Sequence, residues 1–256
     1  MSEPHAAAVL QRAAPPKTRR SEVYRHELKY RISYAVFCLQ KQRLAPLRRR
    51  DAHAKPGGYR IRSLYFDDWW NSAYGEKEAG VFLRKKYRIR IYDGSDAVIK
   101  LERKKKVGSY IYKEDAALTR EETERILRGD YGVLLASPQN LCREFYVECI
   151  SHVLRPRVLV DYEREAWVLD EGTVRITFDQ NVRAAVGGWD LFDPKLPTLP
   201  VLDPGTLVLE VKFTEFLPEV LRQLLPPKAQ EWTAVSKYVL CADKTAYRHG
   251  FSGWND

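Results

Sequence analysis

The sequence predicts an α+β, mainly β fold: a closed eight-stranded antiparallel barrel with a polar, charged lumen and flanking helices. Three observations lead there. Eight segments rich in Tyr, Ile, Val and Phe alternate with period two, over 23–32, 59–67, 86–93, 97–105, 109–117, 157–168, 173–180 and 206–214. Hairpin turns or short helical stretches join them, as in antiparallel sheets. In strand after strand one face carries charge while the other is apolar, because side chains alternate across a strand.

In chain order, residues 1–21 hold Ala, Pro and scattered charge and lack the apolar run of a signal peptide, so they read as a flexible tail. Residues 22–256 read as a single domain, long enough to bury a sizeable core. The first strand sets Glu27, Lys29 and Arg31 against Leu28, Tyr30 and Ile32. Ser33 is placed to cap a helix reaching about Leu47. Segment 86–93 aligns Arg88, Arg90 and Tyr92 opposite Tyr87, Ile89 and Ile91. The next aligns Lys100, Glu102, Lys104 and, just beyond it, Lys106, opposite Ile99 and Leu101. Thr119 and Glu122 have capping-box spacing, with Gly129 as the stop. Ser137 and Pro138 open a helix to about Leu154. Arg164 stands two residues beyond Tyr162, and Arg175, Thr177 and Asp179 align opposite Val174, Ile176 and Phe178. Residues 187–205 are rich in Pro and Gly and read as a loop. Glu210 and Lys212 align inside the apolar run Leu207–Phe213, and Leu217–Leu225 and Glu231–Ala246 read as helices.

Two arrangements satisfy this pattern. The charged faces meet water around an apolar interior, or the apolar faces lie outward beneath helices and the charge lines a lumen. The helices suffice to cover the apolar faces, which favours the second. A basic lumen repels itself and is costly to desolvate, so it implies an anionic occupant. The formal net charge of +9 agrees. The richness in apolar residues excludes a disordered chain, and no window approaches the roughly twenty apolar residues of a membrane span. Cys38, Cys142, Cys149 and Cys241 form no CxxC pair and read as buried free thiols, which fits a cytoplasmic location. No Ser/His/Asp arrangement stands out, and His26 reads as structural.

The segments YRHELKY (24–30), SLYFDD (63–68), KYRIRIY (86–92), IKLERK (99–104), PRVLVDYEREAW (156–167), VRITFD (174–179), LVLEVKF (207–213) and SKY (236–238) occur in that order. Together they resemble the VTC domain, the polyphosphate polymerase domain within the triphosphate tunnel metalloenzyme, CYTH-like superfamily. The resemblance implies an ATP-polyphosphate phosphotransferase that passes the ATP γ-phosphate to a growing polyphosphate chain, with Mn²⁺ or Mg²⁺. It implies that Lys29, Arg88, Arg90, Lys104, Arg164, Arg175 and Lys237 serve catalysis and bind phosphate, joined in binding by Lys113 and Ser236. It makes Glu210 a metal ligand, with Glu27 and Glu102 as further oxygen donors. Two positions before Ser236 the family usually has a basic residue, and here Ala234 stands there.

The alternatives are a tunnel triphosphatase and a noncatalytic domain binding polyphosphate or inositol phosphates. The triphosphatases resemble one another through E-x-E-x-K on the first strand; here Arg25 replaces the first glutamate before Glu27 and Lys29, which favours the polymerase. Basic strands with interleaved aromatics also suit nucleic acid, but no recognition motif appears, so that partner is not expected. A membrane-protein partner and a peripheral place at the inner face of a membrane remain compatible with the resemblance.

Overall fold

The computed structural model describes residues 26–47, 49–50, 57–108, 110–169, 173–214, 216–226 and 235–246. The expected tail over residues 1–21 and the positions of Arg25 and Ala234 lie outside them. Ten strands occur among the described residues: β1 His26–Ser33, β2 Arg49–Arg50, β3 Tyr59–Asp67, β4 Leu83–Tyr92, β5 Ser95–Val107, β6 Tyr110–Leu118, β7 Arg155–Leu169, β8 Val174–Ala185, β9 Thr198–Pro200 and β10 Thr206–Phe213. Eight form one antiparallel path, β1-β10-β8-β7-β3-β4-β5-β6, with β2 on β7 and β9 on β8. All eight expected strands are present.

The expected closure by backbone hydrogen bonds is corrected. β1 and β6 end the path, and no ladder joins them among the described residues. Side chains span the seam instead. Lys104 on β5 donates to both oxygens of Glu27 on β1, at 2.8 and 2.6 Å, and the ring of His26 lies 6.0 Å from that of Tyr110. Strands alternate in direction around the sheet, so two edge strands that meet at their first residues overlap only at their tips. The stagger leaves almost no shared length to pair.

Helices cover the outer face. α3 (Arg120–Leu127) and α4 (Asn140–Ser151) bury Ile126, Leu141 and Phe145 with Tyr87, Ile89, Ile91 and Leu101. α1 (Tyr34–Leu44) and α5 (Glu219–Leu224) bury Phe37, Leu44 and Leu221 with Tyr30, Phe178 and Leu209. Each such side chain contributes about 1.5–3 kcal/mol when fully buried. The Ser33 oxygen accepts from the Val36 N–H at 3.3 Å, and Thr119 with Glu122 forms the reciprocal box, as their spacing predicts. Cys142 and Cys149 are buried together under α4, and Cys241 is buried on the sixth helix, but Cys38 is only half-buried.

That sixth helix, α6 (Lys237–Thr245), behaves differently. It packs Tyr238, Val239 and Ala242 against Tyr65, Val160 and Tyr162. Tyr65 pairs directly with Arg88, so α6 lies on the concave side, at one end of the lumen. Among the described strands and α-helices, three lie outside the sequence expectation: the two-residue β2, β9 and α2. β9 falls in the Pro-rich stretch, and α2 (Ser72–Glu78) has no apolar stripe. The carboxylates of Asp67 and Asp68 hold α2 in place by accepting from the N–H groups of Ser72, Ala73 and Tyr74. Among the described residues no helix is long and apolar enough to cross a membrane.

Candidate functional site

Register brings the charged side chains to one concave surface. Lys29 lies opposite Glu210 and Glu27 opposite Lys212. Glu210 in turn faces Thr177, and Lys212 faces Arg175. Arg164 is opposite Asp179, Arg88 opposite Glu102 and Lys86 opposite Lys104, and Lys104 opposite Lys113. Residues directly across a ladder share a face. The lumen therefore gathers Lys29, Arg88, Arg90, Lys104, Lys113, Arg164 and Arg175 with Glu27, Glu102 and Glu210. Ser236 caps α6, its oxygen accepting from the Val239 N–H at 3.4 Å, and Lys237 pairs with Asp179. His26 has the opposite parity and stacks on Phe213 at 5.1 Å, a packing role.

Each lumen carboxylate is held by several cations. Glu210 lies 3.4 Å from Lys212, 3.7 Å from Lys29 and 3.4 Å from Arg164. Glu27 meets Lys104 at 2.6 Å, Lys29 at 3.5 Å and Lys212 at 3.6 Å. Glu102 meets Arg88 and Lys113 at 2.6 Å and Arg90 at 3.7 Å. Asp179 takes both prongs of Arg164, at 2.6 and 2.7 Å.

Protonation follows from these contacts. Burial opposes ionisation of Glu27, but Lys104, Lys212 and Lys29 outweigh both it and the nearby Glu210, holding the carboxyl at about 2. The same competition keeps Glu210 and Glu102 well below the ordinary carboxylate range. Lys104 moves down rather than up, to about 8: burial and the charges of Lys29 and Lys212 exceed the pull of Glu27. Burial alone pushes a lysine down, and Lys29, held by Glu210 and Glu27, moves up despite it.

Several functional neighbours were not singled out from sequence. Arg88 donates to the Tyr65 hydroxyl at 2.7 Å, and Arg90 donates to Ser63 at 3.0 Å and to Tyr162 at 3.1 Å. These oxygens fix the planes of the guanidinium groups. Burial opposes ionisation of the Tyr162 phenol, but Arg164, Arg90 and Lys237 draw its pKa below the usual value. Lys212 and Lys86 share faces with Glu210 and Arg88, so strand parity was the signal for both. Thr177 is buried in the lumen wall, and its hydroxyl has no hydrogen-bond partner among the described residues.

The oxygen donors of the lumen suit a hard divalent ion in part. Glu210 is buried and Glu27 half-buried; they lie diagonally across the β1–β10 ladder and feel each other's charge. A Mg²⁺-like ion usually takes one or two carboxylates and completes its shell with phosphate oxygens and water. The two glutamates fit that part-site. Glu102 faces the lumen from another strand, locked to its three cations. Among the described residues no group of three or more His, Cys, Asp or Glu side chains is assembled to hold a metal. The arrangement is thus a polycationic cradle with a two-carboxylate corner.

A model of the VTC domain matches residues 24–245. No curated protein matches the chain by sequence. Solved structures do match. One is a putative adenylyl cyclase from Hippeastrum, described as having a dominant triphosphatase activity, 17% identical with a TM-score of 0.51, over 86% of this chain and 96% of that one. Another is a putative adenylate cyclase from Bacillus halodurans, 12% identical with a TM-score of 0.50, over 84% of this chain and 94% of that one. At such identities the likeness is one of fold.

Proposed function

Because the chain belongs to the VTC domain family, we propose that it is an ATP-dependent polyphosphate polymerase working inside the basic lumen. The observation that carries this reading is the excess of cations over carboxylates along the whole lumen wall. Phosphoryl transfer asks for positioning and charge neutralisation rather than covalent help. Arg88 and Arg90, two residues apart and braced by Tyr65, Ser63 and Tyr162, grip neighbouring phosphates in two-pronged fashion. Lys29, Lys104, Lys113, Arg164, Arg175 and Lys237 surround the rest of the chain, with Ser236 donating at the start of α6. An oxygen of the terminal phosphate of the growing chain attacks the γ-phosphorus of ATP. The bond from that phosphorus to the β,γ-bridging oxygen breaks, and ADP leaves with the electron pair. Mn²⁺ or Mg²⁺, held by Glu210 and Glu27, would supply further charge neutralisation on the reacting phosphates.

The Arg25 substitution supports the polymerase over a hydrolase, since a second carboxylate on the first strand would favour a two-metal water-activating site. The test is direct. Purified protein is incubated with ATP and Mn²⁺ or Mg²⁺, and the products are resolved by gel. A ladder of polyphosphate with matching ADP is expected. Orthophosphate released from inorganic triphosphate, without a ladder, would make it a triphosphatase. Tight binding of polyphosphate without turnover would make it a binding domain.

A further inference from the structure

The lumen charge is not balanced evenly along its length. In the middle every carboxylate is shared by at least two cations. Toward one mouth the carboxylates thin out: Glu76 acts on Arg84 and Glu27 on Lys106 from a distance, and among the described residues neither forms an ion pair there. On the lumen face of β4 the row Arg90, Arg88, Lys86, Arg84 runs outward, and Arg84 lies directly opposite Lys106 on β5. α2 packs against this end of β4 and brings Lys77, whose charge is felt by both Lys86 and Lys106. The carboxylate beside Lys86 is Asp67, already committed to the Tyr238 hydroxyl and to the N–H groups of Asp68, Ala73 and Tyr74. Among the described residues, Lys77 pairs with the carboxylate of its exposed neighbour Glu78, at 3.8 Å. Burial and mutual repulsion lower the basicity of Lys86, Lys77 and Lys106 together, Lys86 to about 7.

Half-buried like charges whose few counter-charges are distant, exposed or committed to other donors are costly unless something anionic joins them. The β4 row is also too long for a triphosphate. Its three two-residue steps span about 20 Å at the rise of an extended strand.

We propose that Lys77, Arg84, Lys86 and Lys106 form a separate anion subsite at this mouth, which takes the phosphates of a linear polyphosphate beyond the third. The subsite rests on the reading of the lumen as a phosphate-chain site, and it adds chain-length discrimination to it. A triphosphate satisfies the inner arginines alone; a longer chain reaches the mouth as well.

The experiment is equilibrium binding of inorganic triphosphate and of a long linear polyphosphate, without ATP, to the wild type and to the double variant Lys86→Gln/Lys106→Gln. Wild type should bind the long chain more tightly. The double variant should lose about tenfold or more for the long chain, as two charge-assisted contacts disappear, and stay within about twofold for triphosphate. Its unliganded melting temperature should rise, because like charges have been removed. Lys85→Gln, which removes one lysine charge from the outer face where it pairs with Glu148, is the control for position and should leave both affinities unchanged. Equal weakening toward both ligands, an equal loss in the control, or no loss at all overturns the subsite. If wild type binds both ligands without length preference, the subsite falls while the phosphate tunnel stands. If wild type binds neither, the proposed function falls first.

Discussion

Glu210 sits where an uncompensated carboxylate would be severely destabilising, on a buried strand face with Lys29, Lys212 and Arg164 around it. Structural ion pairing and metal holding make opposite predictions for its neutral isostere. If the carboxylate serves only to balance lysines, Glu210→Gln leaves turnover near wild type once polyphosphate fills the lumen. We expect instead that Glu210→Gln abolishes metal-dependent turnover while polyphosphate binding persists or tightens, as the lumen loses a negative charge. The unliganded protein should melt earlier, since removing one member of a buried pair strands its partners at a cost of about 3–5 kcal/mol. Paired turnover and binding assays on the one variant decide it. Lys86 supplies a pH signature. It faces Lys77 from α2, Asp67 from β3, Arg84 along β4, Lys29 from β1, Lys104 opposite on β5 and the Tyr238 ring on α6 at 4.4 Å. Its folded pKa of about 7 lies below the ordinary lysine value of 10.5. Between those two values the unfolded chain binds the extra proton and the folded chain does not, so stability rises with pH there. Unliganded protein should therefore gain stability from about pH 7 toward pH 10, and Lys86→Gln should flatten that slope; an unchanged slope in the variant refutes the assignment. The charged members of the site were legible one by one, because period-two parity sorts them without knowledge of partners. Tyr65, Ser63 and Tyr162 were not, since in sequence they look like any strand aromatic or hydroxyl. Only the register of β3 with β4 and β7 reveals what they brace.

α6 shows how an element carries function through its anchors. Ser236 caps it and its first residue, Lys237, pairs with Asp179 in the lumen wall, yet its hold on the sheet comes from farther along. Tyr238 donates to Asp67 at the end of β3, and Tyr74 on α2 donates to Asp243 at 2.7 Å. Tyr238→Phe keeps the ring over Tyr65 and Lys86 but leaves the half-protected Asp67 carboxylate short of a donor, which should cost about 1–3 kcal/mol. The expected result is a lower melting temperature together with weaker phosphate binding, because Lys237 loses its fixed position beside Asp179. Loss of stability with wild-type affinity would mean that α6 is only a plug. Element boundaries were legible where local chemistry sets them: Ser33, Thr119 with Glu122, and Gly129 mark helix ends through capping and a positive φ of 86°. α2 escaped because its signal lies outside it, in the carboxylates of Asp67 and Asp68.

At the scale of the molecule, the number of strands and the inside-out polarity could be read from sequence, since both follow from local alternation. Closure could not. It depends on how far each strand slides past the next, a sum over seven ladders with no local signature. The outcome is a tunnel whose wall has one seam, spanned by Glu27, Lys104 and the His26–Tyr110 contact rather than by a ladder. Backbone groups on the seam side of β1 and β6 lack the neighbour that protects those of β7 and β8. Opening free energies are lowest where such pairing is missing, so amide exchange in unliganded protein should be fastest among the strands at β1 and β6. Under the proposed function, a bound phosphate chain would touch Lys29 on β1 and Lys104 and Lys113 on β5 and β6, and would so bridge the seam with charge-assisted bonds. Triphosphate or polyphosphate should then slow exchange in β1 and β6 far more than in β7 and β8. The overall gain would be about 2.7 kcal/mol when ligand stands at one hundred times its Kd. Raised salt should erase the effect at the seam first, where the pairing charges are nearest solvent. A uniform slowing across all strands would show that the ligand stabilises the fold globally without closing the wall, and would place the phosphate chain away from the seam.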